Sequence, residues 1–229
     1  MSITKKDKEF LWVEAYRPQC IDDCILPERM KSYFREMVGK GQLQNMLLVG
    51  GPGTGKTTVA KAMCNEMGID VLVVNASENG DINTLRTTIR SFASTMSFTG
   101  GIKCVILDEA DYLTTATQPA LRGFIEEFSN NCRFIMTANF GNKIIEPLKS
   151  RCAVIDFTYT KEEKKHLIVD FDRRVKAILD NECVEYDKKT LAQVIIKHFP
   201  DFRKIINELQ RHSQAGNLST NSVASMHED

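Results

Sequence analysis

Gly50-Gly51-Pro52-Gly53-Thr54-Gly55-Lys56-Thr57-Thr58 decides how this chain is read. It fits the pattern G-x-x-x-x-G-K-[ST], follows the aliphatic run Met46-Leu47-Leu48-Val49, and precedes a segment with helical spacing over 56 to 67. Strand, glycine-rich loop and helix in that order form a phosphate cradle. The glycines let the backbone curl so that successive N–H groups and the helix N-terminus face the β- and γ-phosphates of a nucleotide. Lys56 adds a compact positive charge and Thr57 a hydroxyl ligand for Mg²⁺. The candidate ATP-binding residues in this stretch are Gly51, Pro52, Gly53, Thr54, Gly55, Lys56, Thr57 and Thr58.

Outward from the loop, short aliphatic runs recur at 71 to 74, 104 to 107, 133 to 136 and 153 to 157, and read as buried strands. Between them lie helical patterns at 83 to 93, with Leu85, Ile89 and Phe92 on one face, and at 117 to 128, with Leu121, Phe124 and Ile125. Strands alternating with helices predict an α/β fold, a parallel five-stranded sheet covered on both faces. After Phe157 the pattern changes. Segments 161 to 180, 188 to 198 and 201 to 211 show helical spacing alone, so a small all-helical domain is expected there. The expected division is a P-loop domain over 1–158, a helical domain over 159–212, and a Ser- and Asn-rich tail over 213–229 with little to bury.

A second signal ends the third predicted strand, Val105-Ile106-Leu107-Asp108-Glu109-Ala110-Asp111. The four apolar residues from Cys104 to Leu107 would set Asp108 at the carboxyl edge of the sheet, where open α/β folds bind ligands and an aspartate can hold Mg²⁺, partly through water. Glu109 follows it, placed to orient or deprotonate a water that attacks the γ-phosphate. The letters DEAD also occur in a class of helicases. Those enzymes need two lobes of this kind, and this chain has one P-loop.

Composition narrows the class further. Of 229 residues, 30 are Lys or Arg and 30 are Asp or Glu, and 42% are hydrophobic, enough for one core with a small appendage. No apolar run approaches the roughly 20 residues that span a bilayer, and the charged N-terminus lacks an apolar stretch behind it. A cytoplasmic protein without a membrane partner is the expectation. Seven scattered cysteines, with no CxxC, argue against a disulfide framework or a zinc site. Zero formal net charge excludes a lone binder that holds nucleic acid by bulk electrostatics, and leaves room for a local basic patch.

At this point the residues resemble the AAA+ clamp-loader ATPases, the small subunits of replication factor C and, more closely, the large subunit of the T4-type phage clamp loader. The resemblance runs from about Glu9 to about Arg211. It rests on Trp12-Val13-Glu14-Ala15-Tyr16-Arg17-Pro18, the P-loop, Asn75-Ala76-Ser77, the DEAD stretch, Thr137-Ala138-Asn139, Ile145-Glu146-Pro147-Leu148-Lys149-Ser150-Arg151-Cys152 and Pro200-Asp201-Phe202-Arg203. It implies an ATP hydrolase that opens a sliding clamp and loads it on primer-template DNA during replication. Val13, Glu14, Ala15, Tyr16 and Ile25 would surround the adenine. Asn139 resembles sensor 1, an amide able to accept from the attacking water and donate to the γ-phosphate. Arg203 resembles sensor 2, brought by the helical lid to the phosphates of the same subunit. Arg151 resembles a finger that reaches the ATP site of a neighbouring subunit; its alternative is an ordinary intrachain ion pair.

The implied partners are other clamp-loader subunits in a hetero-oligomeric ring, a pentamer in the full-length protein, together with the clamp and DNA. Arg86 and Arg90, four apart on one helix, match positions along the DNA channel. Helix N–H groups near Asp81 to Thr84, and Thr114, Thr115 and Gln118, are further candidates for phosphate contact. Asp81 departs from the family pattern, since an acidic residue beside a phosphate path is unfavourable unless it caps the helix. The family's third, all-helical collar domain is not found in this stretch, which leaves pentamer assembly by this polypeptide open. An AAA+ remodelling ATPase, such as a helicase loader, would share the same nucleotide site.

Overall fold

The computed structural model describes residues 9–78, 82–97, 101–114 and 116–214. Strands β1 Met46–Val49, β2 Val71–Asn75, β3 Lys103–Asp108, β4 Cys132–Ala138 and β5 Ala153–Asp156 form one 5-stranded sheet in the order β2-β3-β4-β1-β5. Every neighbouring pair is parallel. The helices are α1 Trp12–Ala15, α2 Glu28–Gly39, α3 Lys56–Glu66, α4 Ile82–Ser94, α5 Gln118–Glu127, α6 Glu146–Lys149, α7 Lys161–Asn181, α8 Lys188–His198 and α9 Phe202–Gln214.

The aliphatic strand runs have a simple cause. Successive side chains point to opposite faces, so a strand covered on both sides needs apolar residues at every position. Met46, Leu48, Cys104, Ile106 and Ile135 belong to one buried cluster with α2, α3 and the helices after Phe157. Leu47, Val105, Leu107, Phe134 and Met136 belong to a second cluster with α4 and α5. The first cluster is continuous from Met63 of α3 to Phe171 of α7 and Leu191 of α8, so the lid shares its core with one face of the sheet domain.

Helix α2 was not anticipated from the sequence. Its N-cap is Pro27, which supplies no side-chain cap, and its stability comes from Met30, Phe34 and Met37, three residues on one buried face. Burying a side chain such as Phe34 contributes roughly 1.5–3 kcal/mol, more than the cap that is missing. The lid helices carry explicit start signals. Thr160 and Glu163 form a reciprocal capping box at α7, and Asp187 accepts from the N–H of Thr190 at α8. Helix α9 runs to Gln214, past the expected boundary at 212; the rest of the expected tail lies outside the described residues.

Register positions the site. Val49 pairs with Ala138 and Asn75 with Asp108, while Leu107 pairs with Met136, so β1, β2, β3 and β4 end together. The loops that leave them carry Gly50, Asp108 and Asn139 to a single carboxyl edge. Among the described residues, no helix is long and apolar enough to cross a membrane.

Candidate active site

The glycine-rich loop leaves β1 with its first N–H, that of Gly50, bonded to the carbonyl of Ala138 at 3.1 Å. Gly53 and Gly55 take φ of +69° and +91°, a left-handed conformation that favours glycine. Gly55 is the N-cap of α3, so the loop opens directly into the helix N-terminus. Lys56 begins that helix, 7% exposed. Its ammonium donates to the carbonyls of Gly50 and Gly51, both at 2.7 Å, and to Oδ1 of Asn139 at 3.0 Å. Burial lowers its pKa to about 8 against the pull of Asp108 and Asp111. These three acceptors satisfy the ammonium at the mouth of the phosphate loop.

Asp108 ends β3 as expected and accepts two hydroxyls on one oxygen, Thr57 Oγ1 at 2.6 Å and Thr137 Oγ1 at 2.5 Å. A hydroxyl and a carboxylate in contact at the mouth of a phosphate loop form a hard oxygen donor pair of the kind Mg²⁺ selects. Thr137 in turn accepts the backbone N–H of Glu109 at 3.0 Å. Glu109 sits at φ 57° and ψ 42°, the left-handed region, which costs a non-glycine residue about 1 kcal/mol or more. Glu109 lines the cleft together with Asn139 and Lys56.

The second aspartate of DEAD has a role that sequence reasoning missed. Asp111, 4% exposed, accepts the N–H of Asn139 at 3.2 Å on one oxygen and that of Phe140 at 3.3 Å on the other. It fixes the loop that presents the Asn139 amide. Gln118 is a correction: it does not face a DNA path but is 1% exposed. Its amide donates to the carbonyls of Leu113 and Lys143 and accepts from the N–H of Ile145. A glutamine at the start of a helix reads as surface polar, and only the neighbouring loops reveal that it stitches them together.

Of the five residues expected around an adenine, Val13, Tyr16 and Ile25 line the cleft. Glu14 and Ala15 do not line it. Residues three apart on a helix share a face, so Val13 and Tyr16 look inward while Ala15 turns into the core and Glu14 pairs with Arg17. Arg203 lines the same cleft, as do the lid residues Phe171 and Arg174, which were not anticipated. The signal for Arg174 was present: it interrupts the apolar stripe Leu167, Phe171 and Ile178 of α7 with a buried charge. The lid also touches the phosphate loop. The N–H of Phe202 donates to the Gly53 carbonyl at 3.1 Å, and the Tyr159 hydroxyl to the Thr54 carbonyl at 3.3 Å.

Three arginines lie apart from this cleft. Arg151 does not line it; its guanidinium donates to Oε1 of Glu126 at 2.9 and 2.5 Å and to the Pro147 carbonyl at 2.8 Å. Arg90 pairs with Glu127 at 3.1 Å and lies over the ring of Phe124, whereas Arg86 is exposed on the same helix. Thr114 bonds Thr117 at 2.9 Å; Asp81 and Thr115 lie outside the described residues.

Comparison with known proteins agrees with this fold. Residues 46–159 match the profile of the ATPase family associated with various cellular activities, AAA. Residues 163–222 match the AAA+ ATPase lid domain of the sliding-clamp-loader large subunit. The sliding-clamp-loader large subunit of Escherichia phage RB69 is 42% identical over 220 residues, which cover 94% of this chain and 68% of that protein. A replication factor C small subunit of Saccharolobus solfataricus is 37% identical over 228 residues, 96% of this chain and 67% of its own length. The RuvB Holliday junction branch migration motor of Thermotoga maritima shares the fold, with a TM-score of 0.68 at 22% identity over 93% of this chain and 72% of its own.

Proposed function

Since the chain belongs to the sliding-clamp-loader branch of the AAA ATPases, we propose that it works as one ATP-hydrolysing subunit of a ring that opens a sliding clamp and loads it on primer-template DNA. The observation that carries this reading is the division of labour among its polar groups. Lys56, Thr57, Asp108, Glu109, Asn139 and Arg203 line one cleft, while Arg151 stands outside it.

On ATP binding the Lys56 ammonium would exchange the Gly50 and Gly51 carbonyls for phosphate oxygens, and the N-terminus of α3 would meet the same charge. Thr57 and Asp108 would hold Mg²⁺, which supplies neutralisation of phosphate charge when bound. The Asn139 amide would orient a water for in-line attack on the γ-phosphorus. Glu109 would take that water's proton as the bond to the leaving ADP oxygen breaks. The charge that develops on the transferred group needs one more cation, and Arg151 of a neighbouring subunit would supply it by leaving Glu126. Arg203, carried by α9, would report the phosphates to the lid.

Proximity of subunits then controls the chemistry. Phosphate release should be slow for the isolated chain and rise steeply with added partner subunits, clamp and primed DNA. Full turnover by the isolated chain, independent of its concentration, would overturn the reading; stimulation by a protein target without a clamp would favour a remodelling ATPase.

A further inference from the structure

Tyr16 is held at both ends by the lid. Its hydroxyl donates to Oε1 of Glu182 at 2.5 Å, and its backbone carbonyl accepts from Nη2 of Arg174 at 2.8 Å. The same guanidinium donates through Nη1 to the Asp23 carbonyl at 2.9 Å. Arg174 is therefore a brace across the loop between Tyr16 and Asp23, and that loop is followed by Ile25 on the cleft wall. Both gripping residues belong to α7 or its C-cap, eight positions apart, about 12 Å along the helix axis.

Simple packing does not account for this arrangement. Arg174 is 6% exposed, and both hydrogen bonds found for it go to neutral carbonyls, so its charge is desolvated without a hydrogen-bonded carboxylate. An apolar side chain would fill the stripe of α7 at lower cost. What the guanidinium provides is geometric: a planar fork that reaches two carbonyls of the N-terminal arm at once. Tyr16 closes α1, a helix of four residues whose last carbonyls have no partner within the helix. The partner for one of them comes from the lid.

We propose that Arg174 and Glu182 are positioning residues for the purine: by gripping Tyr16 they make the base-binding wall of the cleft a part of the lid, so that base recognition depends on lid position. This rests on the cleft being the ATP site. The phosphate loop meets the lid through separate contacts, Phe202 to Gly53 and Tyr159 to Thr54, so the base and phosphate ends of a nucleotide would be sensed by different lid residues. A lid that moves with α7 carries Tyr16 with it and changes base affinity without altering Lys56.

The test compares ATP with inorganic tripolyphosphate, which has the charge but no base, by direct binding to the full chain. Glu182→Ala and Tyr16→Phe should each weaken ATP binding by about five- to tenfold. The double variant should be no worse than the weaker single, and Glu182→Gln, whose carbonyl still accepts, should stay near wild type. Arg174→Lys, whose single ammonium lacks the planar fork that spans the Tyr16 and Asp23 carbonyls, should show the same loss for ATP. Tripolyphosphate affinity should be unchanged in all five, with a cooperative thermal transition retained. Wild-type ATP affinity in Glu182→Ala, strictly additive losses in the double variant, or an equal loss for tripolyphosphate would each overturn the proposal. Lys56→Ala separates the two levels. If it binds both ligands like wild type, the ATP-site reading falls and this one with it; if it loses both while Glu182→Ala binds ATP normally, this one falls alone.

Discussion

A Cβ built on Gly53 would lie 1.8 Å from Oδ1 of Asp201 and 3.0 Å from its Cα. Asp201 is the first residue ahead of α9, and the same oxygen accepts the N–H of Lys204 and so starts that helix. The phosphate loop and the helix that carries Arg203 are in contact at a point with no room for a methyl group.

Gly53→Ala should therefore fail twice, through its φ of +69° and through the collision with Asp201. Thermal or denaturant unfolding should show a loss of roughly 1–3 kcal/mol, and ATP binding should weaken because the lid is displaced. Adding Asp201→Gly should recover part of the binding, since the collision goes while the backbone strain stays.

The lowered pKa of Lys56 fixes the sign of two pH effects. In the unfolded chain its pKa returns to the ordinary lysine range, so between about 8 and that range the unfolded state holds more protons. Its burial penalty is thus fully present below pH 8 and is relieved as pH rises through 8 toward 10.5. ATP binding runs the other way: phosphate charge favours the ammonium, so binding takes up protons above pH 8 and affinity falls as pH rises. Calorimetry in buffers of different ionisation enthalpy should detect the proton uptake, and Lys56→Met should abolish it together with most of the affinity.

Arg151 and Lys56 serve different sites if the ring reading is correct. Arg151→Ala and Lys56→Ala chains, each with little activity alone, should regain part of the ATPase when mixed, because the Lys56→Ala chain still offers its arginine to an intact neighbouring cleft. A mixture no more active than its components, under conditions where the wild-type chain self-associates, would return Arg151 to an intrachain role with Glu126.

Gln118 and Arg86 should respond in opposite ways. Gln118→Leu leaves the Ile145 N–H and two carbonyls without the bonds they now make, and should cost roughly 1–3 kcal/mol of stability. Arg86→Ala, on an exposed helix face, should leave stability within about 0.5 kcal/mol. If the Arg86 face tracks DNA, the same change should lower the slope of log affinity against log salt by about 1.

Most of the sheet domain was legible because its signals are local. The strand runs, the P-loop glycines and the acidic pair at Asp108 and Glu109 lie at the positions where spacing put them. Helix α2 was not legible in that way: Met30, Phe34 and Met37 are set among charged residues, and their helical spacing acquires meaning only against a core to cover. At the site, Pro52 to Thr58 line the cleft and Gly51 meets Lys56 through its carbonyl, whereas of the five residues expected around a base only Val13, Tyr16 and Ile25 line it. Val13 and Tyr16 line the cleft while Ala15 between them is core, a choice made by how the arm is docked.

By itself, then, the sequence determined the chemistry that depends on consecutive residues: a loop of glycines, a lysine and a threonine that can meet phosphate, and carboxylates ending a strand beside it. Tertiary structure decided everything that depends on residues far apart in the chain. Asp111 reaches across to the loop of Asn139, Gln118 turns inward to three backbone groups, and Arg174 and Glu182 take hold of a tyrosine more than 150 positions earlier. Each of these is a polar side chain whose partners are backbone or side-chain groups of another element. Buried polar groups must be satisfied where the fold happens to place them, and no spacing along the chain records that.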